Sequence, residues 1–99
     1  MAAARRWAAG LQPRDPRVEK VGCIGSYARG DWGVGSDLDV VVILTESDLS
    51  TEDRYRRYYP DHLPVQADLW VYTRDEWTDL EARSPQLRSK LDAEWLDLL

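Results

Sequence analysis

The sequence predicts a small α/β or α+β fold, in which helices pack on a mixed β-sheet. Strand-length apolar runs alternate with helix-like segments along the chain, which favours a sheet covered by helices. The 99 residues suffice for one core, so residues 1–99 are expected to form a single domain. Apolar residues make up 43% of the chain and charged residues 31%, which is typical of a globular protein.

The first half of the chain predicts one helix and two strands. Residues 2–9 are rich in alanine and predict a short helix, ended by Gly10 and the "PRDPR" that follows. Val18–Ile24 ("VEKVGCI") predicts the first strand. Leu38–Leu44 ("LDVVVIL") is β-branched and continuously apolar, so it predicts a central strand covered on both faces.

The segments around the central strand are more polar. Residues 25–31 predict a turn that opens a short helix, and residues 31–36 ("DWGVGS") predict a loop. Residues 45–64 predict one helix and a loop ending in prolines. Residues 65–72 ("VQADLWVY") alternate between apolar and polar side chains, which predicts a third strand.

The last part of the chain predicts two helices. Thr73 and Glu76 have the spacing of a capping box, so a helix should begin after Thr73 and run towards Ser84. Pro85 should open another helix that ends near residue 93. The final "EWLDLL" is either a short strand or the end of that helix.

Charge and cysteine content exclude several classes of function. The net charge is −5, with 18 acidic and 13 basic residues, so a nucleic-acid partner, which needs a basic footprint, is unlikely on this composition. Cys23 is the single cysteine, which excludes an internal disulfide and a multi-cysteine zinc site. No apolar run approaches ~18 residues and residues 1–10 lack a long apolar core, so we expect no membrane span, no signal peptide and a cytoplasmic location.

Two aspartates stand where the central strand begins. Residues i and i+2 of a strand point to the same face about 6.6 Å apart, so Asp37 and Asp39 should project side by side at the lip of the sheet. Like charges this close repel, and burying one without a partner costs several kcal/mol. Magnesium prefers carboxylate and phosphate oxygens, so a divalent cation at this pair would relieve both costs.

A third acid and a Gly-Ser pair extend this candidate site. If the second and third strands are neighbours, Asp68 can lie beside the first two aspartates, and three acids can hold two metal ions. Gly25 allows close approach of the backbone to a ligand, while Ser26 at a helix start would present N–H groups and a hydroxyl to phosphate. The pattern predicts a site for a metal-bound nucleoside triphosphate.

The stretch "GSYARGDWGVGSDLDVVV" resembles the signature of the DNA-polymerase-beta-like nucleotidyltransferase superfamily: Gly-Ser, ten residues, then Asp-x-Asp. Average residue usage puts this motif at roughly one in 10^5 start positions by chance. The sequence is most similar to the minimal nucleotidyltransferases, small bacterial and archaeal proteins of which some are antitoxins. The resemblance extends from about Val18 onward, through "ADLWVY", "TRDEW" and "RSPQLRSKL".

The resemblance implies a polymerase-beta-like palm and a role for each residue of the motif. Asp37, Asp39 and Asp68 would be the catalytic acids and would bind two Mg²⁺ ions, with ATP as the nucleotide donor. Asp68 would also help to deprotonate or orient the attacking hydroxyl. The nucleotide-binding residues would be Gly25, Ser26, Arg29, Gly30 and Ser36. The reaction would transfer a nucleoside monophosphate and release pyrophosphate.

Three functions stay open at this point. Minimal nucleotidyltransferases are commonly encoded beside a HEPN-type partner, so the first is transfer of AMP to a tyrosine of that toxin. The second is a non-catalytic antitoxin that neutralises its partner by binding. The third is transfer to a small molecule, as in antibiotic-modifying relatives, which use an additional helical domain that a homodimer or a partner subunit would have to replace.

The other reactive or aromatic residues have structural interpretations. Cys23 within a strand predicts a small buried hydrophobe. Tyr55, Tyr58 and Tyr59 have helical spacing, which is more typical of core contacts than of a base-stacking surface. The five tryptophans are candidates for the core or for an interface.

Overall fold

The computed structural model describes residues 2–25, 38–60, 63 and 66–99. The elements in this part of the chain, in order, are α1 (Ala2–Arg14), β1 (Val18–Ile24), β2 (Leu38–Leu44), α2 (Thr51–Tyr58), β3 (Ala67–Thr73), α3 (Arg74–Arg83), α4 (Pro85–Glu94) and β4 (Leu96–Asp97). The strands form one mixed sheet in the order β3-β2-β1-β4. The predicted fold class is confirmed. None of the described helices is long and apolar enough to cross a membrane.

Strand β2 lies in the interior of the sheet, as its sequence predicts. It pairs antiparallel with β1 and parallel with β3. Val40 and Val42 on one face are 0% exposed, while Val41 and Ile43 on the other are only 2% and 3% exposed. Both faces of β2 are therefore covered, which explains why its sequence is continuously apolar instead of alternating.

Helix α1 covers one face of the sheet and is longer than predicted. Ala4, Ala8 and Leu11 recur at helical spacing and join the apolar core. The predicted end at Gly10 is wrong, because the helix continues through Gly10 and Pro13 to Arg14. Glycine inside a helix costs about 1 kcal/mol relative to alanine, and full burial of a leucine side chain contributes about 1.5–3 kcal/mol. Burial of Leu11 thus outweighs the local preference to stop.

The opposite face of the sheet is covered by an aromatic cluster, which we define as Tyr72, Trp77 and Trp95. Ring centroids are 5.6 Å apart for Tyr72 and Trp77, and 5.8 Å apart for Trp77 and Trp95. Trp95 lies directly over Gly22 of β1, and a Cβ atom added there would be 2.3 Å from its indole ring. The close approach of this indole therefore requires glycine at position 22.

The predicted boundaries of the last elements are confirmed within one or two residues. Thr73 caps α3, and its side chain and that of Glu76 make both hydrogen bonds of the capping box. Pro85 is the first residue of α4, which ends at Glu94. Of the two alternatives for the C-terminal segment, the short strand is correct, since Leu96 and Asp97 pair with β1. The third strand runs from Ala67 to Thr73; position 65, its predicted start, lies outside the described residues.

Buried charges attach α2 to the rest of the fold. Arg54, which is 7% exposed, donates to Glu76 Oε1 at 2.6 Å and to the Leu49 carbonyl at 3.1 Å. The same oxygen of Glu76 accepts the backbone N–H of Thr73 at 2.8 Å. A single carboxylate thus joins α2 to the junction between β3 and α3.

A buried carboxylate, Asp15, joins the end of α1 to α2. Its side chain accepts hydrogen bonds from the hydroxyl of Tyr58 and from both the backbone and the guanidinium of Arg17. The hydrogen bond from the Arg17 side chain, opposed by burial and aided by Tyr58, lowers the pKa of Asp15 from 3.8 to about 2. The ionised form of Asp15 therefore stabilises the folded protein.

Substitution Gly22→Ala should destabilise the protein, because its methyl group would overlap the indole of Trp95. We expect a loss of about 1–3 kcal/mol in the free energy of unfolding, measured by urea denaturation. Gly10→Ala is the matched control: its nearest contact would be a flexible Arg14 nitrogen at 3.8 Å, and alanine should stabilise α1 by about 0.8–1 kcal/mol. Equal effects of the two substitutions would contradict the packing described for Trp95.

The lowered pKa of Asp15 predicts acid sensitivity. Since its folded-state pKa of about 2 is below the unfolded value of 3.8, its contribution is complete above pH 4 and is lost as the pH falls towards 2. We expect this loss to be about 2 kcal/mol in urea denaturation at stepped pH, and to be absent in Asp15→Asn. Asp92→Asn, at an exposed carboxylate, is the control and should retain the wild-type pH dependence. A wild-type slope in Asp15→Asn would disprove the assignment.

Candidate active site

Three strand ends meet at one edge of the sheet. Because β2 and β3 are parallel, both begin at this edge, and β1, which is antiparallel to them, ends there. The backbone N–H of Leu38 donates to the carbonyl of Gln66 at 2.9 Å, which holds the starts of β2 and β3 together. Any functional groups at these three strand ends are brought together by the topology.

Asp39 and Asp68 are direct partners in the β2–β3 register. Paired residues of neighbouring strands lie about 4.8 Å apart and point to the same face. Asp39 is half-buried and Asp68 is exposed. The condition for bringing these two predicted acids together, that the second and third strands are neighbours, is thus met.

The paired carboxylates suit a hard cation. Two negative charges in adjacent positions repel, and a divalent ion with oxygen ligands removes that repulsion. In the described part of the chain, no group of three metal-ligating side chains is found. Asp37, the third predicted ligand, lies outside the described residues.

Gly25 closes the site on the β1 side. Its φ of +79° is in the left-handed region, which residues with a side chain adopt only at a cost of about 1–2 kcal/mol. A Cβ atom at this position would lie 2.7 Å from Oδ2 of Asp39. Both the conformation and the close approach of the Asp39 carboxylate therefore require glycine.

The described structure brings together three of the predicted site residues, namely Gly25, Asp39 and Asp68. The other predicted nucleotide-binding residues, Ser26, Arg29, Gly30 and Ser36, lie outside the described residues, as do the short helix and the loop predicted between β1 and β2. The nucleotide-binding roles of these four residues stay predictions.

A cavity among the described residues lies away from the acids. It measures about 330 Å³ and lies between α1 and α2, where its lining includes Trp7, Arg14 and Arg57. Asp15, the carboxylate in the lining of this cavity, accepts hydrogen bonds from Tyr58 and Arg17. The chemistry of the acids, and not concavity, identifies the candidate active site.

Sequence reasoning did not single out Trp70. It is one of the large apolar side chains that stay exposed, at 41%, and it lies two residues after Asp68 on the same strand. Because side chains alternate along a strand, the sequence already placed Trp70 on the same face as Asp68, and this signal could have identified it as a neighbour of the site. Its position in the third strand suggested only a core or interface residue.

Comparison with known proteins identifies one family. The model of the nucleotidyltransferase domain family matches residues 5–91. Among curated proteins, no significant match is found.

Solved structures show the same fold at low identity. A predicted nucleotidyltransferase from Sulfolobus solfataricus is 23% identical, with a TM-score of 0.63 over 79% of this chain and 70% of that chain. A toxin–antitoxin complex with AMP-PNP is 18% identical, with a TM-score of 0.61 over 96% of this chain and 72% of that chain. A variant of the toxin–antitoxin MntA–HpeT, with two aspartates two positions apart replaced by glutamate, is 17% identical, with a TM-score of 0.65 and the same coverage.

The contact between Gly25 and Asp39 predicts a coupled effect on stability. We expect Gly25→Ala to cost about 2 kcal/mol, partly from its positive φ and partly from overlap with the Asp39 carboxylate. In an Asp39→Ala background the overlap is gone, so the cost should fall by about 1 kcal/mol. Urea denaturation of the four proteins measures this coupling, and strictly additive effects would show that the two residues are not in contact.

Proposed function

This chain belongs to the nucleotidyltransferase domain family, and we propose that it transfers AMP from magnesium-bound ATP to a tyrosine hydroxyl of a HEPN-type toxin and thereby acts as the antitoxin. The observation that carries the proposal is the direct pairing of Asp39 with Asp68, beside Gly25, whose backbone lies close to the Asp39 carboxylate. Paired carboxylates at an open edge are suited to a metal-bound phosphate ester and not to a packed interior.

The acids would hold the metal ions. Asp37, Asp39 and Asp68 are the proposed ligands of two magnesium ions, and the oxygen-only donor chemistry of the described pair fits this metal. When bound, the ions neutralise the charge of the phosphates and acidify the acceptor hydroxyl. Asp68, at the β3 end of the group, would accept the hydrogen of that hydroxyl and orient its oxygen.

The proposed reaction is an in-line displacement at the α-phosphorus of ATP. The acceptor oxygen forms a bond to the α-phosphorus, and the bond between that phosphorus and the α–β bridging oxygen breaks. Pyrophosphate leaves with the bond electrons, and the hydroxyl proton passes through the Asp68 carboxylate to water. Such chemistry depends on positioning and charge neutralisation, so few side chains are needed.

The triphosphate would lie on the β1 side. Gly25, with its positive φ and its backbone close to the Asp39 carboxylate, is the described part of this subsite. Ser26, Arg29, Gly30 and Ser36 would complete it, with backbone N–H groups, a hydroxyl and a guanidinium directed at the phosphate oxygens.

The donor and the acceptor are supported by the structural relatives and by charge. One relative is a toxin–antitoxin complex with AMP-PNP, an analogue of ATP. Another is a toxin–antitoxin variant substituted at two aspartates with the same i, i+2 spacing as Asp37 and Asp39. The net charge of −5 favours a protein acceptor over a nucleic acid.

The function is tested by the intact mass of the protein encoded beside this chain, after co-expression and after incubation with ATP and magnesium. We expect the wild type to add whole AMP masses to that protein. Asp39→Asn or Asp68→Asn should slow the transfer at least about 10²-fold, because each removes a negatively charged ligand of the ions that neutralise the phosphates. Asp92→Asn is the matched surface control and should act like the wild type.

Three further arms define the reaction. Addition of EDTA should stop the transfer, and replacement of ATP by GTP, CTP or UTP tests the choice of AMP. Tandem mass spectrometry locates the modified residue, which we expect to be tyrosine. If the neighbouring protein binds the wild type and Asp39→Asn equally and neither modifies it, transfer to that partner is disproved and a binding antitoxin is the better description.

A further inference from the structure

Trp70 is exposed beside the acids. It follows Asp68 by two residues in β3, so both side chains lie on the same face about 6–7 Å apart along the strand. Trp70 is 41% exposed, whereas Val41, the residue of β2 that pairs with it, is only 2% exposed. An indole left open at this position is available to a ligand that reaches Asp68.

The aromatic cluster on this face of the sheet does not include Trp70. Tyr72, the next residue on the same face of β3, packs on Trp77 with ring centroids 5.6 Å apart. Trp77 packs in turn on Trp95. Within the described part of the chain, Trp70 forms no ring pair of this kind. Among the described residues of this face, the aromatic cluster thus packs within itself, and one indole stays exposed next to the acids.

The order of the strands separates the two sides of the reaction. Gly25, at the end of β1, marks the triphosphate side, while Asp68 and Trp70 are on β3, two strand spacings or about 10 Å away. Asp68 is the acid assigned to the attacking hydroxyl. A group that contacts Trp70 and Asp68 together is thus on the acceptor side.

We propose that Trp70 is the positioning residue for the acceptor, and that the phenol ring of the acceptor tyrosine stacks against its indole while the hydroxyl reaches Asp68. This inference rests on the proposed function and specifies its acceptor side. Aromatic rings pair at centroid distances of 4.5–7 Å. Asp68 lies about 6–7 Å from Trp70 along the strand, so a phenol stacked on the indole can direct its hydroxyl towards that carboxylate. An aliphatic hydroxyl such as that of serine gains nothing from the indole, so Trp70 gives the site its preference for tyrosine.

The assignment is tested by steady-state kinetics, with the partner protein that accepts AMP as the varied substrate. Trp70→Ala should raise the KM for the acceptor about 3- to 10-fold, the range expected for loss of one aromatic pair, with kcat and the KM for ATP unchanged within about twofold. Trp70→Phe should restore most of the loss. Tyr55→Ala, at a similarly exposed aromatic on α2, is the control and should leave all constants unchanged. A change confined to the KM for ATP would overturn the assignment, as would an unchanged KM for the acceptor.

A binding measurement separates this inference from the proposed function, because it needs no turnover. In a two-dimensional NMR spectrum, the Trp70 indole N–H is assigned by its absence in Trp70→Phe. N-acetyltyrosinamide should shift this signal more than N-acetylserinamide does, with or without transfer activity. Equal or absent responses would overturn the inference, as would a larger shift with magnesium and AMP-PNP than with N-acetyltyrosinamide, which would make Trp70 a nucleobase contact.

Discussion

The pairing of β2 with two neighbours of opposite direction is the constraint on which the site depends. Antiparallel pairing with β1 brings Gly25 beside Asp39, and parallel pairing with β3 brings Asp68 to the other side of the same residue. A shift of one residue in either register would turn one of these side chains to the opposite face. In β2 such a shift would turn Asp39 to the face on which Leu38 and Val40 are buried, and burial of a carboxylate there would cost several kcal/mol. The apolar core thus holds the acids in register.

The polar interactions of the fold lie away from that edge and have a different purpose. Asp15 with Tyr58 and Arg17 joins α1 to α2, and Arg54 with Glu76 joins α2 to the start of α3. In both cases a carboxylate is matched by an arginine, so its charge is satisfied within the protein. Asp39 and Asp68, by contrast, are two like charges paired across neighbouring strands. That pairing of like charges is the physical basis for proposing that they bind a metal ion.

Sequence reasoning succeeded where one local signal dominates. The apolar run of β2, the alternation of β3 and the capping box of Thr73 each have a single interpretation, and the structure confirms all three. It failed for the end of α1, because the burial of Leu11 by the sheet is not visible in the local preferences of Gly10 and Pro13. For the site, the spacing of the motif identified the acids, but the adjacency of Asp39 and Asp68 required the strand order. The contact between Gly25 and Asp39 and the exposure of Trp70 depend on three-dimensional packing, so no spacing rule could give them.

The position of β3 at the border of the sheet affects which molecules the enzyme can modify. In the described part of the chain β3 is an outermost strand of the sheet, and Asp68 and Trp70 on it are exposed, so the proposed acceptor side is accessible from solvent. An enclosed pocket selects its substrate by size. A site on an outermost strand instead selects its substrate through the surface that the substrate protein docks beside the site. A side chain on the surface of a large folded protein could therefore reach this centre without unfolding. Selectivity would then come from the partner's surface, and a new acceptor could arise through changes outside the catalytic residues.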